Sequence, residues 1–124
     1  MALELRLSPG PRAPAEARRS LGASLGRVDP DLLGKLRLLV SELVSNSVRH
    51  AGLKEDDLIR ISVWESAGRV RVEVTDLGGG FRPRLPDPDP LNPTGWGLYL
   101  VDRLADRWGV ATNVETRVWF EMDC

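Results

Sequence analysis

Apolar and polar residues follow two periods along the chain, one helical and one typical of strands. The longest helical run, Asp29 to Gly52, repeats leucine and valine at spacings of three and four. This pattern predicts a helix of about six turns with one broad buried face. Both ends carry the matching signals, because Asp29 suits the N-cap, Pro30 the first helical position and Gly52 the left-handed exit.

The rest of the chain predicts two more helices and five strands from the same periodicities. The helices are Ala15 to Leu25 and Leu98 to Trp108. The strands are Leu3 to Leu7, Leu58 to Glu65, Arg69 to Asp76, Val110 to Thr112 and Thr116 to Met122. This order predicts an α+β fold, a two-layer sandwich in which a mixed, mostly antiparallel sheet is covered on one face by three helices.

Three polar side chains recur at intervals of four residues within the long helix: Glu42, Asn46 and His50. Positions with this spacing form a continuous ridge beside the apolar stripe. Such a ridge can be the solvated margin of an amphipathic helix, or it can face the seam between helix and sheet, where ligands bind. The ridge is therefore a candidate site.

A buried acid and two glycine clusters favour the second interpretation, in which the ridge faces the seam between helix and sheet. Asp76 shares a strand face with the valines of its strand, because side chains alternate with period two, and a carboxylate there needs a partner. The run Leu77 to Gly80 lets backbone approach a ligand closely. Gly95-Trp96-Gly97 opens the last predicted helix, where free N–H groups and the helix dipole favour phosphate.

Composition narrows the class of protein. The 124 residues are enough for one domain, residues 1–124, with a core of its own. The 17 basic and 18 acidic residues leave a net charge of −1, which argues against nucleic acid or an anionic membrane as the main partner. The single cysteine is the last residue, and no apolar run is long enough to cross a bilayer, so we expect a cytoplasmic protein without disulfides.

Together these motifs resemble the Bergerat-fold ATP-binding domains of the GHKL superfamily, and most closely its single-domain anti-sigma factor serine/threonine kinases. The resemblance covers nearly the whole chain. It rests on the motif ELVSNSVRH at residues 42–50, on the D-x-G-x-G box from Asp76 to Gly80, and on Gly95 to Leu98.

The resemblance implies ATP and Mg²⁺ as cofactors and gives the site residues their roles. It implies Asn46 as the Mg²⁺ ligand and Glu42 as the acid that positions or deprotonates the nucleophile. It implies that Asp76 accepts a hydrogen bond from the exocyclic amine of adenine and that Thr116 supports it. The remaining nucleotide contacts that we expect are Arg49, His50, Gly78, Gly80, Gly95, Gly97 and Leu98. For His50, hydrogen bonds to carbonyls at the end of its helix are an equal alternative.

Two functions remain open from the sequence. The first is an ATP-dependent kinase that phosphorylates an anti-anti-sigma partner and otherwise sequesters a sigma factor, and Glu42 favours it. The second is a non-catalytic module in which ATP controls binding to a partner protein. Trp96 between the second glycines and the proline-rich segment Phe81 to Thr94 favour the module. A weak homodimer is also expected, because Leu3 to Leu7 is an alternating strand at a sheet edge.

Overall fold

A computed structural model of the chain describes residues 2–50, 53–54, 56–77, 96–112 and 114–124. The elements are β1 (Leu3–Leu7), α1 (Ala13–Ser24), α2 (Pro30–His50), β2 (Ile59–Ser66), β3 (Arg69–Asp76), α3 (Trp96–Leu104), β4 (Arg107–Thr112) and β5 (Thr116–Asp123). These strands form one sheet in the order β1-β2-β3-β5-β4, and each pairing between them is antiparallel. The predicted two-layer α+β architecture is confirmed, and the sheet, predicted as mixed and mostly antiparallel, is antiparallel at each of these pairings.

Helix α2 begins as its sequence predicts. The Asp29 carboxylate accepts hydrogen bonds from the backbone N–H groups of Asp31 at 3.1 Å and Leu32 at 3.3 Å, and Pro30 is the first helical residue. The apolar stripe of the helix is at most 3% exposed: Leu36, Leu39, Val40, Leu43 and Val44. Each buried side chain of this kind contributes about 1.5–3 kcal/mol, so the stripe fixes the rotation of α2 about its axis. The predicted exit at Gly52 lies outside the described residues.

Helix α1 packs along α2 and starts at Ala13, slightly earlier than the predicted Ala15. Pro14 is tolerated in its first turn, where no backbone donor is needed. A Cβ at Gly22 would lie 1.8 Å from Nη2 of Arg37, the far end of a flexible side chain, so a larger residue here would displace that guanidinium. No helix in the described ranges combines the length and the apolarity needed to cross a membrane.

The helices cover one face of the sheet. Along β3, Val70, Val72 and Val74 are at most 3% exposed, whereas the charged residues between them are more accessible. Phe120 of β5 lies opposite Val72 and is fully buried. The core therefore lies between this face and the apolar stripes of the helices.

The other face of the sheet carries ion pairs in cross-strand rows. Glu121 accepts hydrogen bonds from Arg107 at 2.9 Å and Arg71 at 3.3 Å, and its side chain is 13% exposed. The hydrogen bond from Arg107 is the main cause that keeps the pKa of Glu121 below its ordinary value. Arg71 also lies over the ring of Trp119, 4.4 Å from the ring centroid. Paired charges thus cover the apolar surface of this face.

The prediction was wrong at the end of the last helix. Helix α3 ends at Leu104, and β4 begins at Arg107 rather than at Val110. Trp108 therefore lies on a strand and not on the predicted helical face. Trp108 still packs against the core. It lies two residues before Val110, which puts both side chains on the inward face of a strand, and four residues after Leu104, which would put both on one face of a helix. Either structure therefore buries it.

Asp106 is the physical reason for this break. Its backbone N–H donates to the carbonyl of Glu121 at 3.0 Å, and its carboxylate accepts from the backbone N–H of Asp123 at 2.6 Å. Both bonds tie Asp106 to β5, so the chain leaves the helix before Trp108.

Candidate functional site

The site is built around Asp76, the last residue of β3. Its side chain is 7% exposed and lies on the helix-covered face, as strand parity predicts. The hydroxyl of Ser47 on α2 donates to Asp76 Oδ2 at 2.6 Å. Thr116, which is 6% exposed, is the cross-strand partner of Asp76 at the start of β5 and shares its sheet face. One carboxylate and two hydroxyl side chains thus meet in a water-poor corner between helix and sheet.

Asn46 precedes Ser47 on α2 and is half-buried. Its side-chain oxygen, Oδ1, is buried and has no hydrogen-bond partner in the described part of the chain. A buried acceptor without a partner costs about 1–3 kcal/mol, so such an atom points to a ligand. An amide oxygen is a ligand that Mg²⁺ accepts, and Mg²⁺ commonly keeps waters and substrate phosphates as its other ligands.

The described residues do not surround this oxygen with a set of metal-binding side chains. Among the residues that the structure describes, no three His, Cys, Asp or Glu side chains gather closely enough to bind a metal ion. The residues present therefore fit a cation that is shared with a phosphate ligand, and they do not fit a structural metal site.

Glu42 lies one turn before Asn46 on the same side of α2, about 6 Å along the axis. It is half-buried, between the fully buried residues Leu39 and Leu43 and the solvent. This exposure is that of a margin position, where a carboxylate can reach both a ligand in the seam and water. Glu42 and Asn46 therefore lie at the margin of the buried face of α2, as the predicted ridge requires.

The C-terminal end of the ridge is different. Arg49 is exposed, and its Nε donates to the carbonyl of Ser45 at 3.3 Å, within its own helix. The structure does not bring this guanidinium to Asp76. The side chain of His50 lies outside the described residues, so both proposed phosphate contacts here remain predictions.

The glycine boxes are described only in part. Gly78, Gly80 and Gly95 lie outside the described residues, and their roles remain predictions. Gly97 is in the first turn of α3, and Leu98 after it is 5% exposed. Helix α3 packs against α2, the helix that carries Asn46.

An open cleft of about 400 Å³ reaches the Asp76 end of the site. Besides Asp76, its lining includes Leu58 and Leu77, which are 42% and 52% exposed, and the cations Arg6 and Arg60. Its volume is in the range of small-molecule pockets. Arg6, Arg60 and Thr75 of its lining are cross-strand neighbours on the sheet face away from the helices. Within the described residues the cleft therefore touches Asp76 at the strand end and not the ridge of Glu42 and Asn46.

Ser47 is the site residue that sequence reasoning missed. It follows Val40, Leu43 and Val44 at spacings of seven, four and three, so it lies on the apolar stripe of α2. A hydroxyl on a buried stripe needs a partner, and Asp76 is a buried acid that needs a donor. The sequence gives both requirements, and they are the signal for this site, but they do not say which buried donor meets which acid.

Comparison with known proteins gives a consistent result. A family model described as "Histidine kinase-like ATPase domain" matches residues 7–122. Two proteins named "Anti-sigma F factor", from two strains of Clostridium botulinum, are each 33% identical over 116 residues, covering 84% of this chain and 81% of the relative. An uncharacterised protein of Streptomyces coelicolor is 34% identical over 79 residues, which is 63% of this chain and 74% of that protein.

A solved structure shows the same fold. The crystal structure of the RsbU and RsbW domains of a Mycobacterium tuberculosis protein superimposes with a TM-score of 0.76 at 20% identity. The match covers 97% of this chain and 31% of the longer one, so the chain spans about a third of that protein. At this identity the likeness concerns the fold alone.

Proposed function

The chain belongs to the family of histidine kinase-like ATPase domains, and from this premise we propose that it binds Mg²⁺·ATP and regulates a protein partner as an anti-sigma factor. The single observation that carries the proposal is the buried oxygen of Asn46, which has no partner among the described residues and lies one residue from the hydroxyl that binds Asp76. The family implies a nucleotide, and this pair of residues would supply a cation ligand next to a buried acid.

Asp76 would recognise the adenine base. An ionised carboxylate only accepts hydrogen bonds, so it favours the exocyclic amine of adenine and disfavours the carbonyl of guanine. The burial of Asp76 supports this role, because a hydrogen bond discriminates best where water cannot replace the lost partner. Thr116 would support the same end of the base from β5.

Asn46 and Glu42 would act at the phosphate end. Asn46 would be the protein ligand of Mg²⁺, which when bound neutralises phosphate charge and aligns the terminal phosphate. Glu42, one turn away, would orient the hydroxyl of an incoming serine or threonine and accept its proton as the oxygen attacks the γ-phosphorus. The bond from the γ-phosphorus to the bridging oxygen breaks in the same step, and ADP leaves. The predicted backbone contacts of Gly78, Gly80, Gly95 and Gly97 belong to this proposal as well.

Phosphoryl transfer is the finer part of the proposal. The acceptor would be a protein of the anti-anti-sigma type, and when the chain is not phosphorylating this acceptor it would sequester a sigma factor. The half-buried position of Glu42 beside Asn46 supports this kinase activity. The second candidate is a non-catalytic module in which ATP controls partner binding, favoured by the bulky Trp96 between Gly95 and Gly97.

Replacing Asp76 tests the base-recognition role. We expect Asp76→Ala to lose discrimination between ATP and GTP, because the acceptor for the amine is gone, and to bind ATP about tenfold or more weakly. Calorimetric titration with both nucleotides measures this. Asp31→Ala, which removes an exposed acid at the far end of α2, is the control and should behave like the unmutated protein. Retention of full ATP preference by Asp76→Ala would contradict the assignment.

Self-association is proposed through β1. This strand is at the edge of the sheet, with Leu3 and Leu5 half-buried and Glu4 and Arg6 exposed. A free edge can pair with the same edge of a second copy, and a five-residue strand offers few hydrogen bonds. We therefore expect a weak homodimer with a dissociation constant on the order of 10 µM. Light scattering that shows only monomer well above this concentration would rule it out.

A further inference from the structure

We propose that Ser47 is a positioning residue for base recognition, which orients the Asp76 carboxylate and so sets the nucleotide preference of the site. This inference rests on the proposed function, since it assigns Asp76 to the adenine amine. Ser47 itself is not expected to touch the nucleotide.

The contact between Ser47 and Asp76 has the geometry and the burial of a strong hydrogen bond. The Ser47 hydroxyl and the Asp76 carboxylate are 2.6 Å apart, which is the range of O–H···O⁻ hydrogen bonds. The two residues are 29 positions apart in sequence, and their side chains are 8% and 7% exposed. Hydrogen bonds of this kind are the stronger ones in proteins and fix the geometry of both partners.

Helix formation does not require the hydroxyl. Alanine has a higher helix propensity than serine, and the neighbours of Ser47 on the stripe, Leu43 and Val44, are apolar and at most 3% exposed. An alanine would therefore suit both the helix and its packing. The role of the hydroxyl lies instead in the carboxylate that it binds.

A carboxylate needs such a partner to present a fixed acceptor. The torsion that rotates the carboxylate of an aspartate is broad, so its oxygens do not have one preferred plane. A donor bound to Oδ2 restricts that rotation and orients the group before a ligand arrives. Recognition of a base requires the acceptor to be placed within about 0.5 Å and oriented within about 10–20° of the productive geometry. Loss of the donor therefore weakens discrimination although Asp76 is still present.

The position of Ser47 also joins two parts of the site. Asn46, the proposed cation ligand, is its neighbour in the same turn of α2. One turn of helix therefore carries the residue that orients the base-reading acid and the residue assigned to the metal. A shift of this turn would affect both.

The test compares ATP with inosine triphosphate, which carries a carbonyl in place of the exocyclic amine. Calorimetry gives the ratio of the two affinities for the unmutated protein, Ser47→Ala, Ser47→Thr and Ser41→Ala. Ser41 is a matched control, because it is also 8% exposed on α2 but donates to the carbonyl of Leu38 in its own helix at 3.0 Å. Thermal melting verifies that each variant is folded.

We expect Ser47→Ala to lower the affinity ratio about tenfold, through weaker ATP binding. Ser47→Thr retains a hydroxyl and should keep most of the preference, and Ser41→Ala should keep all of it. An unchanged ratio in Ser47→Ala, or an equal loss of affinity for both nucleotides, would overturn the inference, since a merely structural role weakens both alike. Failure of the unmutated protein to bind ATP would overturn the proposed function and this role of Ser47 with it.

Discussion

Replacing Asn46 with alanine is expected to abolish Mg²⁺-dependent ATP binding without weakening the fold. The Asn46 oxygen is buried and has no partner among the described residues, so the folded protein gains little from it. Removing an unpaired buried acceptor relieves a cost of about 1–3 kcal/mol, so the melting temperature should stay the same or rise. The nucleotide complex loses its protein ligand for the metal, and affinity for Mg²⁺·ATP should fall about 100-fold or more, roughly 2.7 kcal/mol.

The combination of the two measurements is what identifies a ligand residue. Calorimetry gives the affinity, and thermal melting without nucleotide gives the stability. Ser45→Ala, at the half-buried preceding position, is the control and should leave both nearly unchanged. Lower stability together with unchanged affinity for Mg²⁺·ATP would show that Asn46 is a structural residue and would remove the metal assignment.

Replacing Glu42 should have a different effect from replacing Asn46: ATP binding should be retained, and phosphoryl transfer should be lost. A base is needed only as the transition state forms, whereas a metal ligand is needed already in the bound state. Glu42→Ala should therefore keep ATP affinity within a few fold, about 1 kcal/mol, and lower phosphoryl transfer about 100-fold or more. Transfer of labelled γ-phosphate from ATP to purified candidate partners, such as the products of neighbouring reading frames, measures the second effect.

Glu42→Gln is the sharper companion variant. It keeps the shape of the side chain and removes its basicity, so it should lose transfer as fully as the alanine variant does. If Glu42→Ala transfers phosphate at the original rate, Glu42 is not the base. If the unmutated protein binds ATP and phosphorylates none of the partners that it binds, the non-catalytic module replaces the kinase.

The long helix shows how much the sequence could predict. Its start at Pro30, the cap by Asp29 and the buried stripe all follow from local rules, because capping and helical periodicity act over a few residues. The alternation of side chains along a strand is also a local rule, and it correctly predicts that Asp76 faces the helices. Features fixed by neighbours in sequence were therefore accessible.

Features that depend on residues distant in sequence could not be predicted. The end of α3 depends on the hydrogen bonds between Asp106 and β5, and Trp108 fits both a helical and a strand period. The partner of Asp76 was also out of reach, because no spacing rule connects it to Ser47 across 29 residues. The chemical need for a partner could be predicted, but its identity required the packing of α2 on the sheet.

Titration calorimetry of the unmutated protein would show whether this chain has a site selective for Mg²⁺·ATP. ATP would be titrated with Mg²⁺ and again with the metal chelated, and GTP with Mg²⁺. We expect saturable ATP binding that requires Mg²⁺, and an affinity for GTP that is about tenfold or more below the affinity for ATP. Equal affinity for ATP and GTP, or ATP binding that is indifferent to Mg²⁺, would contradict this expectation.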